Sequence, residues 1–324
     1  MSIAAHIRTV ARGPGRARAL TCAEAQEAMT AILAGHAAPE AIGALLMVLR
    51  LRGETEEEIT GFAAAVRAHL RDWSGTGAAL DWPSYAAGRT RGLPWYLLSA
   101  KLVAAAGFPV FLHGKNGSAA ALRAHLTPLG ISQVATPEAA RAALERDGIV
   151  YVPLEDLSVR LEDLLGLRTH LGLRSCVNTL CRVANPAGAP VTVQGVFHPP
   201  YRDLQVAACA ALGDRAMMVI KGGGGEFERF VGKETACHGF ATDGGPFAPA
   251  PALMNGVRRL SDLPDDPSDL VDIWHGRQTN AAVEKTIAGT AALALLALDA
   301  AETLDAAESL AQHLWRTRRP DLAA

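Results

Sequence analysis

The sequence predicts an α/β protein in two parts: a small N-terminal helical domain, then a large α/β domain built on a mainly parallel sheet. Three observations carry this. Residues 21–72 show capped, amphipathic helical patterns and no strand pattern. After Trp73, short apolar runs bounded by turn residues alternate with alanine-rich helical stretches. The 324 residues are 49% hydrophobic and 20% charged, enough for a sizeable core and unlike a disordered or fibrous chain. The predicted boundaries are 1–74, comprising a basic arm and the helical domain, and 75–324 for the α/β domain.

The elements follow in order. Residues 1–20 carry Arg8, Arg12, Arg16 and Arg18 and no acidic side chain, and Gly13-Pro14-Gly15 breaks any helix there, so a loosely held basic arm is expected. Thr21 with Glu24 forms a capping box that opens a helix through Met29, Ile32 and Leu33. Pro39 starts a second helix with Ile42, Leu45, Leu46, Val48 and Leu49, and Gly53 stops it. This helix is apolar nearly all round, which predicts burial on several sides or at a two-fold homodimer interface. Thr55 and Glu58 form another capping box before Ile59, Phe62 and Val66. Beyond Trp73, strands are expected at 109–112, 149–152, 191–196 and 216–220. Helices are expected at 96–106, 137–146, 202–212 and 281–298.

Lys and Arg total 31 and Asp and Glu 33, so the net charge of −2 excludes a uniformly basic coat but not a local basic face. The five cysteines are scattered, with no C-x-x-C pair, which suits buried thiols in a reducing cytoplasm. The start has no apolar run typical of a signal peptide, and the most apolar stretch, 287–298, is too short for a membrane span. A soluble cytoplasmic protein is expected.

The segment LTCAEAQEAMTAILAGHAAPEAIGALLMVLRLRGETEEEITGFAAAVR resembles the amino-terminal helical domain of anthranilate phosphoribosyltransferases, of the glycosyltransferase family 3 fold. VFLHG (110–114) looks like the family segment that ends in Lys-His-Gly-Asn-Arg. LRTHLGLRSCVNTLCRVANPAGAP (167–190), GVFHPPY (195–201) and MMVIKGGGGE (217–226) follow in the family's order. The resemblance covers about residues 20–315 and implies a homodimer formed through the helices.

Departures from the family pattern accompany it. The enzymes hold the pyrophosphate of phosphoribosyl pyrophosphate in a Gly-Thr-Gly-Gly-Asp loop, whose glycines let backbone N–H groups approach phosphates. The corresponding place here reads DWPSYAAGRTRG (81–92), and Gly75-Thr76-Gly77 reads as a linker turn. Where the enzymes place Asn-x-Ser-Thr for the 5′-phosphate, this chain has Pro94-Trp95-Tyr96-Leu97. The family's adjacent Asp-Glu metal pair is matched by a turn containing Glu226 and Glu228, separated by Phe227. These two are weak metal candidates, or else solvated turn residues. No cofactor is expected, with magnesium implied only if the chain is a transferase. The departures predict no product from anthranilate and phosphoribosyl pyrophosphate.

The matched positions around the family's cleft stay cationic: Arg89, Arg91, His113, Lys115, Arg168, Arg174, Arg182 and Lys221. By the resemblance, Arg168 matches the arginine that contacts the acceptor's carboxylate and His113 the acceptor-site histidine. A buried structural role for His113 stays open, as does a structural salt bridge for Arg174. Trp82, Tyr85, Trp95 and Tyr96 are either core or platforms for stacked bases. Together with Asp-Trp-Pro-Ser-Tyr and Gly-Arg-Thr-Arg (81–85 and 88–91), this resembles a nucleic-acid-binding branch of the fold. The leading expectation is therefore a dimer that binds single-stranded DNA or RNA with low sequence specificity, through the arm arginines and the cleft cations. The alternative is a glycosyl- or phosphoribosyltransferase with an unidentified acceptor. A small-anion-binding regulatory protein is a third reading.

Overall fold

The computed structural model describes residues 2–13, 15–85, 92–115, 119–198, 200–257, 259 and 262–318. The chain opens with helix α1 (Ala4–Ala11), where a loose arm was expected. The reason is an apolar stripe, Ile3, Ile7 and Val10, among the exposed arginines. Ile3 and Val10 are buried, and the helix packs on α3.

The helical domain continues with α2 (Cys22–Leu33), α3 (Pro39–Arg52) and α4 (Glu56–His69). Both expected capping boxes are formed. The Glu24 amide donates to Thr21 Oγ1 at 3.3 Å while the Thr21 amide donates to Glu24 Oε2 at 2.9 Å. Thr55 and Glu58 repeat the exchange at 3.3 and 3.0 Å. Glu58 is fully buried and also accepts the Leu20 amide at 2.9 Å, so the cap ties the start of the chain to α4.

The α/β domain follows in this order: β1 (Leu80–Ser84), α5 (Tyr96–Ala105), β2 (Val110–Gly114), α6 (Ala119–Leu126), β3 (Ser132–Gln133), α7 (Pro137–Asp147) and β4 (Ile149–Pro153). The short helices α8 (Leu154–Leu157), α9 (Val159–Gly166), α10 (Arg168–Leu171) and α11 (Val177–Val183) lead to β5 (Val191–Gly195). Then come α12 (Tyr201–Ala211), β6 (Ala216–Ile220), β7 (Cys237–Phe240), α13 (Asp269–Trp274), α14 (Ala281–Ala297) and α15 (Leu304–Thr317). The seven strands lie in the order β3-β4-β2-β1-β5-β6-β7. All pairings are parallel except β6 with β7. The expected mainly parallel sheet is thus observed.

Strand alternation divides the interior in two. Phe111, Val150, Val152, Met217 and Val219 face the helical domain, while Val110, Leu112, Ile149, Met218 and Ile220 pack with α5 and α14. Burial on both faces is what a parallel sheet flanked by helices requires. Asp81–Ser84, expected in a loop, instead lies within the central strand β1. Pro83 is tolerated because it falls where β1 is no longer paired with β5; that pairing ends at Asp81. Among the described residues, no helix is long and apolar enough to cross a membrane.

Candidate functional site

The strand order reverses direction between β1 and β5, and open α/β sheets bind ligands outside the carboxyl ends of their strands at such a switch point. Here Arg182, at the end of α11, spans that point. Its Nη2 donates to the Tyr85 carbonyl and its Nε to the Gly195 carbonyl, each at 3.0 Å. Its Nη1 donates to the Asn178 carbonyl, also at 3.0 Å. Arg182 is only 7% exposed. Burial lowers its pKa, and the Glu226 carboxylate opposes that shift as a nearby counter-charge. Gly195 must be glycine, because a Cβ there would stand 2.0 Å from the Glu226 carbonyl carbon.

A second chain of polar groups runs beneath the same edge. Tyr85 Oη lies 2.8 Å from His113 Nδ1, and His113 Nε2 lies 3.2 Å from Asp81 Oδ1. Thr192 donates to Asp81 Oδ2 at 3.2 Å, which joins β5 to β1. All four side chains are buried. Burial raises the Tyr85 pKa far above its ordinary value and so keeps the phenol neutral. His113 is thus fully buried, hydrogen-bonded to Tyr85 at Nδ1 and close to the Asp81 carboxylate at Nε2, surroundings that suit the structural role the sequence left open.

The glycine turn after β6 closes the edge. Glu226 Oε1 accepts from Ser84 Oγ at 3.1 Å, and Ser84 Oγ also lies 2.7 Å from Tyr96 Oη. Glu228 Oε2 accepts the Tyr96 amide, at the start of α5, at 3.0 Å. Both carboxylates are buried, so they are not solvated turn residues. They fasten the turn to β1 and α5. Magnesium wants several open oxygen ligands. Among the described residues no three acidic, His or Cys side chains converge on one point, and these two carboxylates already hold hydrogen bonds.

The other expected site residues divide by environment. Lys115, beyond β2, is paired with Glu162 of α9. Arg168 is exposed at the start of α10, and Arg174 is half-buried. Burial and then the like charge of Arg168 lower the Arg174 pKa, so the two guanidinium groups feel each other. Lys221 is exposed at the end of β6. Arg89 and Arg91 lie outside the described residues. Trp82, Tyr85, Trp95 and Tyr96 are all buried, so they are core and not stacking platforms. Arg8, Arg12 and Arg16 are exposed, whereas Arg18 pairs with Glu24 at 2.6 and 2.7 Å. An acid six residues ahead thus neutralises one of the four arm arginines, against expectation. Asp81 and Ser84 were not singled out in the sequence. Their signal was polar residues inside an otherwise strand-like segment.

Comparison with known proteins gives this geometry its setting. Residues 5–70 match the glycosyl transferase family helical bundle domain, and residues 96–244 match the family's a/b domain. An anthranilate phosphoribosyltransferase from Moorella thermoacetica is 32% identical over 329 aligned positions, covering 90% of this chain and 89% of that protein. One from Methylocella silvestris is 31% identical, covering 83% and 75%. The crystal structure of the Thermus thermophilus anthranilate phosphoribosyltransferase superposes with a TM-score of 0.80 at 26% identity, covering 94% of each chain. The Saccharomyces cerevisiae enzyme in complex with PRPP and Mg shares the fold, with a TM-score of 0.77 at 16% identity. These relatives are metabolic transferases over nearly the whole chain, and they overturn the expectation of a nucleic-acid-binding protein. The buried aromatics, the folded first helix and the pairing of Arg18 and Lys115 agree with that correction. The chain belongs to the glycosyl transferase family that includes the anthranilate phosphoribosyltransferases.

Proposed function

We propose that this protein is a glycosyl- or phosphoribosyltransferase whose acceptor carries a carboxylate, working at the carboxyl edge of the sheet in the cytoplasm. The supporting observation is similarity to anthranilate phosphoribosyltransferases over about nine-tenths of the chain. The five free cysteines suit a reducing compartment. Arg168, exposed at the start of α10, offers a guanidinium to an acceptor carboxylate. Lys221 stands at the end of β6, where it offers a cation to a phosphorylated sugar. The buried links from Arg182, His113, Glu226 and Glu228 keep the strand ends from moving as the substrates meet. The helical domain is proposed to pair two copies of the chain through α3, whose Leu51 is 91% exposed. Light scattering at micromolar concentration should then give the dimer mass.

The test is pyrophosphate release from phosphoribosyl pyrophosphate, with and without magnesium. It is run over a panel of aromatic carboxylates that begins with anthranilate, and product mass is recorded. One acceptor should release pyrophosphate stoichiometrically with product. Arg168→Ala should raise the KM for that acceptor more than it lowers kcat. Absence of release with every acceptor, while the Thermus thermophilus enzyme turns over in parallel, would exclude the transferase reading.

A further inference from the structure

Away from the sheet edge, a cavity of about 510 Å³ opens between α14, α15 and the segment Pro251–Leu253. This volume falls within the range of about 300–1,000 Å³ found for small-molecule sites. Small side chains create it: Ala281, Ala288 and Gly289 leave α14 without bulk on this side. A Cβ at Gly289 would stand 2.4 Å from Leu253 Cδ1 and 3.4 Å from Arg229 Nη1, so a larger residue would push the Leu253 side chain aside.

The polar groups of this cavity are arranged by depth. Glu284 and Glu308 are half-buried in its walls, whereas Lys285 and Arg316 are exposed at its rim. Both acids are held by buried donors. The Trp315 indole N–H donates to Glu284 Oε2 at 3.2 Å. Arg229 Nη1 donates to Glu308 Oε1 at 2.6 Å from a fully buried guanidinium, whose Nε has no hydrogen-bond partner. Lys285 donates to the Leu253 carbonyl at the rim at 2.9 Å. Each carboxylate keeps acceptor capacity beyond its single bond. The cavity therefore presents the Glu284 carboxylate and the Glu308 half of an ion pair with Arg229 beside the Trp315 ring and the alanine-lined helix face, with Lys285 and Arg316 at the rim.

We infer that this cavity binds a small protonated amine carried on an apolar body. The ammonium would donate charge-assisted hydrogen bonds to Glu284 and Glu308, and the apolar body would cover Trp315 and Ala288. At the depth of Glu284 an isosteric carboxylate would meet a like charge, and only the rim cations Lys285 and Arg316 would attract it. A simple amine and an α-amino acid share the recognised group, and they differ in the carboxylate that an amino acid would bring toward Lys285 and Arg316.

Isothermal titration of the full chain at pH 7 with phenethylamine, 3-phenylpropionate and phenylalanine tests this. Phenethylamine should bind with one site per chain and 3-phenylpropionate should not. Phenylalanine binding at least as tightly as phenethylamine would assign an amino-acid ligand, and weaker binding a simple amine. Glu284→Gln keeps an acceptor for the Trp315 N–H and should weaken phenethylamine about tenfold or more. Ala252→Trp, at an exposed position on the rim, should block binding without unfolding the chain, as checked by circular dichroism. Equal binding of amine and carboxylate, or full affinity in both variants, would overturn the assignment, as would no binding of phenethylamine.

Discussion

Arg18 and Arg182 look alike on paper, and their surroundings make them opposites. Arg18 makes the better-formed ion pair, two near-parallel bonds to Glu24 at 2.6 and 2.7 Å, on an exposed surface. Arg182 bonds to three backbone carbonyls in the interior at 3.0 Å each, and to the Asn178 side chain at 2.5 Å. Against those backbone carbonyls, distance ranks the Arg18 pair higher. Solvent reverses the order, because water competes for Arg18 and is excluded from Arg182. A buried cation is costly to place and still more costly to disturb, since its removal strands every group arranged around it.

The sharpest test of that contrast is Arg182→Ala. It leaves the Tyr85 and Gly195 carbonyls without their donor and Glu226 without a nearby cation. The unfolding free energy in urea should fall by about 3–5 kcal/mol. A loss under about 1 kcal/mol would break the comparison, because an exposed pair reaches that value. Next in size is Tyr85→Phe, which removes the hydroxyl from His113 Nδ1 in a dry interior. It should cost about 1–3 kcal/mol by the same measurement. Thr55→Ala lies between the two environments, removing a cap from a half-buried helix start, and should cost about 1 kcal/mol.

The smallest effect belongs to Arg18→Ala, which should leave the urea midpoint at pH 7 unmoved within experimental scatter. It should nevertheless be visible in titration. The Arg18 side chain, aided by the Thr21 amide, holds the Glu24 carboxyl down to about 2 from an ordinary 4.5. The folded value lies below the unfolded one, so the pair's contribution is present above pH 4.5 and fades as the pH falls towards 2. Carbon-13 NMR of the Glu24 carboxyl should show its midpoint rise in Arg18→Ala. An unchanged midpoint would mean that the Thr21 amide alone sets it.

The parts of this molecule that were legible in the sequence are those decided by near neighbours. Thr21 with Glu24, and Thr55 with Glu58, announce their helices because both partners lie within one turn. The runs at 149–152 and 216–220 announce strands because they are apolar on both faces. Helix α1 was hidden because its arginines outnumber the stripe of Ile3, Ile7 and Val10. Strand β1 was hidden because Asp81 and Ser84 are polar, and what makes them acceptable comes from Thr192, His113 and Glu226. The candidate site follows the same rule. Its inventory of cations could be read from spacing, but the pairing of Lys115 with Glu162 joins residues 47 apart. No local pattern encodes that. The expectation of nucleic-acid binding leaned on the same gap: charge was countable in the sequence, and the pairing of Arg18 and Lys115 was not.

The bonds of Arg182 also set an order of events in folding. Its link to Tyr85 closes a stretch of 97 residues, whereas that to Gly195 closes 13. The short closure costs less chain entropy, which predicts that α11 docks on β5 before β1 arrives, an order that φ-values for Gly195 and Tyr85 contacts would check. Until then the guanidinium keeps its water. On that order, the dehydration of a full positive charge would be postponed to the step that brings the two halves of the sheet together. The centre of the sheet is where this protein pays last.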